Sequence, residues 1–211
     1  MDLTRLIELA VQNRVEILAV VFGIVSVYLS TRENIWSWPT ALVNVALYFV
    51  VFLEAKLYAD MGLQVVYFAL SLYGWYEWLY GGEHRTELHV SRVSRSLGVR
   101  LALIGVTSAV VLGTILARFT DAALPYLDSL TTSTSLVAQW MMTRKIVENW
   151  AVWVAVDVVY IGMFIFKQLY LTAGLYAVFL VLAVMGFRKW RTSFIEREQG
   201  SGNREPSVSA A

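Results

Sequence analysis

The sequence predicts an all-α integral membrane protein, with seven transmembrane helices arranged as two parallel three-helix units joined by a single helix. Three observations predict it. The 211 residues are 58% hydrophobic and only 16% charged, with a mean hydropathy of +0.59. Apolar runs of roughly 17 to 22 residues, enough to cross about 30 Å of hydrocarbon at 1.5 Å per residue, occur seven times. Finally, the chain matches itself without a gap when it is laid on itself so that Leu57 falls on Leu169.

The first run, near 15–31, follows "MDLTRLIELAVQNR". Asp2 and Glu8 beside Arg5 and Arg14 are unlike the basic start of a cleaved signal peptide, so this span is kept in the mature protein. Spans two and three lie near 35–53 and 60–80. The polar link "GGEHRTELHVSRVSRS" is too small to be a domain and leads into the fourth span, near 98–117. The fifth, near 125–142, is the weakest, because "LTTSTSLVAQW" is rich in hydroxyls. Such hydroxyls can bond back to their own helix, so they are compatible with a span. The last two run near 146–166 and 169–190. Residues 1–190 thus form one transmembrane domain, and the polar tail 191–211 is read as disordered.

The repeat lays "LYADMGLQVVYFALSLYGWYEW" (57–78) on "LYLTAGLYAVFLVLAVMGFRKW" (169–190), matching Gly62/Gly174, Gly74/Gly186 and Trp78/Trp190 among other identities. Upstream in the same register, Trp38 meets Trp150, Tyr48 meets Tyr160 and Phe52 meets Phe164. The units would be about 15–80 and about 125–190, with about 98–117 linking them. Three spans plus one is an even number, so both units enter the membrane in the same direction. Parallel repeats of this kind are a transporter architecture, with the substrate near mid-membrane between the halves.

With seven spans, five of the 17 Lys and Arg fall on the N-terminal face and twelve on the other. The positive-inside bias then places the N-terminus outside and the C-terminus in the cytoplasm. The net charge of +1 says nothing about partners, and no nucleic-acid partner is expected.

Several chemistries are argued against. Cysteine is absent, which removes disulfides, thiolate metal sites and thiol nucleophiles. No G-x-x-x-x-G-K-[ST], G-x-S-x-G or H-E-x-x-H occurs, so neither a P-loop nor a hydrolase nucleophile or metal cradle is visible. His84 and His89 lie in the basic link without companions at ligand spacing. A retinal protein would need a lysine deep in its last span, where only Lys189 occurs, at the inner end. No enzyme, cofactor or metal is expected.

The sixth span holds "ENWAVWVAVD", residues 148 to 157. An ionisable residue near the middle of a span costs about 2.5 to 3.5 kcal/mol on insertion scales, so Asp157 marks a site by default. Trp150, Trp153 and Asp157 are spaced i, i+3, i+7, within about 60° on one helix face. Two aromatic rings above a carboxylate suit a flat, cationic or polar ring. The bland alternative is an interfacial Trp150 and an Asp157 paired with a neighbouring helix. Span two carries Asn44 with Tyr48 one turn on, and span three carries Gln64, Tyr67, Ser71 and Trp75 on one face. For Asn44 and Gln64, interhelical glue and ligand contact remain equal readings.

"ENWAVWVAVD" and "LYADMGLQVVYF…YGWYEW" resemble the Pnu vitamin transporter family, whose best-known branch, PnuC, carries nicotinamide riboside. The similarity runs from about 15 to about 190, and the combination of W-x-x-W-x-x-x-[ND] with LY-x(5)-Q-x(6)-YGWY-x-W is specific. The resemblance implies a fold like full-length SWEET-type transporters. It also implies facilitated diffusion of a soluble vitamin across the bacterial inner membrane, with trapping by a cytoplasmic kinase. It assigns Trp150 and Trp153 to clamping the substrate ring, Asp157 to the polar position after them, and Asn44 and Gln64 to hydrogen bonds with the substrate. Asparagine is frequent at the Asp157 position in the nicotinamide riboside branch, and this departure keeps thiamine as a second cargo and riboflavin as a third. A membrane scaffold subunit is the alternative from another class, and self-association is left open.

Overall fold

The computed structural model describes residues 3–56, 58–120, 124–166 and 168–202. Among these, seven α-helices make up almost all of the chain: α1 Leu3–Thr31, α2 Ser37–Glu54, α3 Tyr58–Tyr80, α4 Arg95–Phe119, α5 Pro125–Thr143, α6 Asn149–Phe166 and α7 Tyr170–Gly202. Pro125 at the first turn of α5 suits a helix start, where its missing N–H has no partner to lose. The Ser94 hydroxyl accepts from Leu97 N–H at the start of α4.

Five of the seven, α1, α2, α4, α6 and α7, are long and apolar enough to cross a membrane by length and composition. The other two, α3 and α5, carry more polar side chains, and they turn them inward. Ser71 on α3 and Ser129, Thr131, Ser133 and Ser135 on α5 are all buried. Thr131 Oγ1 donates back to the carbonyls of Leu127 and Asp128, as a hydroxyl inside a helix can.

The packing order is a closed ring. Helices α1, α2, α3, α5, α6 and α7 each lie against the next, and α7 returns to α1, while α4 packs on α5. Val99, Leu103, Ile104, Val106, Val110 and Val111 leave a broad apolar surface on α4, as a lipid-facing helix should.

Helix α7 continues well beyond residue 190, where the sequence reading ended the last span and placed a disordered tail. Residues 191–202 are helical because no proline intervenes and Phe194 gives the extension an apolar anchor against the bundle. Residues 203–211 lie outside the described residues.

Local geometries recur at positions that the sequence repeat matches. Trp38 and Trp78 meet edge-on at 5.2 Å and 88°, and Trp150 and Trp190 meet at 5.5 Å and 89°. Trp78 Nε1 donates to the Met142 carbonyl at 3.1 Å, and Trp190 Nε1 donates to the Ser30 carbonyl at 3.0 Å. Tyr48 stacks on Phe52 at 5.6 Å, and Tyr160 on Phe164 at 5.8 Å. Left-handed backbone, rare outside glycine, occurs at Glu33 and Lys145 and again at Lys56 and Gln168. Each of these residues closes the turn that follows a helix.

Candidate functional site

The four tryptophans Trp38, Trp78, Trp150 and Trp190 form one buried cluster, with Trp78 and Trp190 5.8 Å apart at its centre. Glycines make room for it. A Cβ at Gly74 would collide with the Trp38 ring, and one at Gly186 with the Trp150 ring, so only glycine admits the indoles this close. The cluster lies at the end of the bundle where α1, α3 and α5 finish and α2 and α6 begin. There the α3–α4 link folds over the α5–α6 turn. Ser91 pairs with Ile146 in a short parallel bridge, and Glu148 accepts from Arg92 Nε and Val93 N–H, both at 3.0 Å. Lys145, buried in the same turn, sits 4.5 Å from the Trp78 ring centroid and 3.6 Å from Glu33 Oε2. Burial lowers its pKa from the ordinary lysine value, against the opposing pull of Glu33 and Glu87.

Two helical turns from Trp150, about 10 Å along α6, is Asp157. It is 3% exposed, and among the described residues its carboxylate has no hydrogen-bond or ion-pair partner. Tyr176 of α7 lies within electrostatic range of Asp157, Tyr160, Tyr67 and Tyr48, its ring 4.7 Å from that of Tyr160. Tyr67 of α3 in turn lies beside Ser135 of α5. Groups from α2, α3, α6 and α7 thus lie within electrostatic range of one another through Tyr176, and α5 joins them through Ser135 beside Tyr67.

The residues singled out from sequence separate into three groups. Asp157, Tyr67 and Tyr48 each lie within electrostatic range of Tyr176. Trp150 belongs to the tryptophan cluster, 1% exposed, with Trp190 against it and its Nε1 without a partner among the described residues. Trp153, half-buried, packs against that cluster. Asn44 acts between helices: its Nδ2 donates to the Ala19 carbonyl at 2.6 Å and rests over Gly23 on α1. Gln64, half-buried on α3, makes no hydrogen bond among the described residues.

Tyr160 and Tyr176 were not among the residues chosen from sequence. The repeat could have found both, since they are the matched partners of Tyr48 and Gln64. Asn149, next to Trp150, is fully buried, with Nδ2 on the Ile146 carbonyl at 2.6 Å and Oδ1 without a partner among the described residues. Among the described residues no group of three His, Asp or Glu is placed to hold a metal ion.

Inside the ring of helices, a buried carboxylate and several tyrosine side chains thus lie within electrostatic range of Tyr176. The family model described as "Nicotinamide mononucleotide transporter" matches residues 13–192. This chain belongs to that family. Members of the nicotinamide mononucleotide transporter family similar to it include the nicotinamide riboside transporter PnuC of Escherichia coli (strain K12), 28% identical, covering 89% of this chain and 88% of that protein. PnuC of Neisseria mucosa is 30% identical over 86% of this chain and 73% of that one. The riboflavin/roseoflavin transporter RibM of Streptomyces davaonensis is 27% identical over 81% of both. Among solved structures, the crystal structure of the vitamin B3 transporter PnuC matches with a TM-score of 0.65 and 26% identity, covering 89% of this chain and 88% of that one. The chain is a multi-pass membrane protein of a transporter family, and the relatives it matches are transporters, not enzymes.

Proposed function

We propose that this protein carries nicotinamide riboside across the bacterial inner membrane by facilitated diffusion. The observation that carries the reading is the buried, unpartnered Asp157 among Tyr48, Tyr67, Tyr160 and Tyr176. An ionised carboxylate inside a bilayer is costly unless a cation answers it, and a pyridinium ring does so while stacking on aromatic neighbours. The tyrosine hydroxyls, which both donate and accept, suit the ribose and carboxamide. Trp153 supplies the stacking surface, with Trp150 behind it in the cluster, and Gln64 adds a polar contact, whereas Asn44 is held between α1 and α2 by its bond to the Ala19 carbonyl. The PnuC relatives support this cargo. RibM supports riboflavin as a second reading, although a neutral ring gains less from Asp157.

All seven helices are read as spans, α3 and α5 included, in two parallel units joined by α4 as in full-length SWEET-type transporters. The geometries that recur between the two units support that arrangement. The charge bias supports an outside N-terminus and a cytoplasmic C-terminus. Substrate enters from the N-terminal face, and the halves rock so that the tryptophan layer parts towards the cytoplasm. There a kinase phosphorylates the vitamin and retains it.

The test is uptake of labelled nicotinamide riboside by proteoliposomes without ATP or an ion gradient. Uptake lost in Tyr176→Phe and Asp157→Ala, with competition by unlabelled nicotinamide riboside but not by thiamine, is the predicted result. Competition by riboflavin or thiamine alone would reassign the cargo, and no uptake of any vitamin would favour a scaffold role.

A further inference from the structure

Two corners of the bundle occupy matching positions in the repeat, and their charges differ. At one, Arg144 after α5 meets Glu77 near the end of α3, Nη1 to Oε2 at 2.6 Å, with the Tyr73 hydroxyl at 3.3 Å from the same nitrogen. At the other corner, the repeat register puts Arg32 in the place of Arg144 and Lys189 in the place of Glu77. Glutamate has become lysine, so a cation faces a cation. Arg188 adds a third, where the first corner has Tyr76.

This second corner is open. A pocket of about 620 Å³ lies between the α1–α2 turn and α7, lined by Arg32, Asn34, Arg188, Lys189, Thr192 and Ser193, together with Thr31 and Glu33. Glu33, its sole carboxylate, is engaged by Lys145. The Arg32 guanidinium lies over the Tyr28 ring at 5.0 Å, and none of the three cations has a carboxylate partner among the described residues.

We propose that this pocket binds a phosphate-bearing anion, which takes the place filled by Glu77 at the matching corner. Like charges in one concavity repel, and a tetrahedral oxyanion relieves all three together. Arginine meets two phosphate oxygens at once, lysine adds a point charge, and Asn34, Thr192 and Ser193 supply neutral donors. The site stands apart from Asp157 and its tyrosines and does not rest on the assigned cargo. Both a phospholipid headgroup and a soluble phosphate ester carry the chemistry.

The experiment titrates inorganic phosphate into the detergent-purified protein by calorimetry. In parallel, phosphatidylglycerol retained from nanodiscs containing roughly one-quarter of that lipid in phosphatidylcholine is measured by mass spectrometry. Lys189→Glu restores the charge pattern of the other corner, Arg32→Gln removes one cation, and Arg100→Gln, an exposed cation on α4, controls for general charge. The expected result is saturable binding weakened about tenfold or more in Lys189→Glu and Arg32→Gln and unchanged in Arg100→Gln. Phosphate binding alone assigns the site to a soluble ester, lipid retention alone to a headgroup, and both to the shared phosphate. Binding that is absent in both arms, or equal in Lys189→Glu and the parent, overturns the proposal.

Discussion

Glu33 and Lys145, matched partners in the repeat, both adopt left-handed backbone and meet each other, Lys145 Nζ lying 3.6 Å from Glu33 Oε2. Residues at matching places in the sequence repeat thus carry opposite charges and close on one another. The same end of the bundle holds the four-tryptophan cluster, and Lys145 sits over the Trp78 ring, so this pair and the indoles form one layer.

The matched indole hydrogen bonds predict matched losses. Trp78→Phe and Trp190→Phe each remove one of two donors to a carbonyl, since Met142 O also accepts from Lys145 N–H and Ser30 O from Glu33 N–H. Each lost hydrogen bond is predicted to cost about 0.5–1.5 kcal/mol, read as similar drops in Tm in detergent. A large drop for one and none for the other would contradict the equivalence.

The glycines under the outer indoles predict an overpacking effect. Gly74→Ala and Gly186→Ala force a methyl into the Trp38 and Trp150 rings. A loss of about 1–3 kcal/mol is predicted for each, whereas Gly62→Ala, with open space around it, should stay near the parent. Thermal unfolding of the three variants checks this.

Lys145 gives a pH prediction. Its pKa is lowered in the fold, so the folded protein holds that proton less tightly than the unfolded chain. The resulting penalty is present in full below the folded pKa and disappears as pH rises from there towards the ordinary value of 10.5. The Tm of the parent relative to Lys145→Met should therefore climb between neutral pH and that range. A flat or falling difference would show that burial is not the dominant influence on Lys145.

Much of the architecture was legible in the sequence, because an apolar run of span length has few other uses and matched Gly, Tyr and Trp in one register report shared packing. The helical extension after Trp190 was less legible, since a polar composition hides the single anchor at Phe194. Asp157, on which the proposed site rests, stands out in the sequence by its cost in an apolar segment. Trp150 was harder to read. Spacing placed it on the face of Asp157, but the glycine that draws it into a cluster lies on α7. Tyr176 was missed because tyrosine is common in membrane helices, and only its match to Gln64 in the repeat singles it out.

Asp157 also predicts a graded response. Asp157→Asn keeps the shape and hydrogen bonding but removes the charge, so it should retain part of the binding of a cationic vitamin, whereas Asp157→Ala should lose it. Equal binding by parent and Asp157→Ala would place the site elsewhere.

The most direct test of the central claim is isothermal titration of the detergent-purified protein with nicotinamide riboside, thiamine and riboflavin in parallel, with Trp153→Ala as control. The account predicts saturable binding of nicotinamide riboside that is lost in the variant. Heat from none of the three with a well-folded sample, or binding untouched by Trp153→Ala, would contradict it.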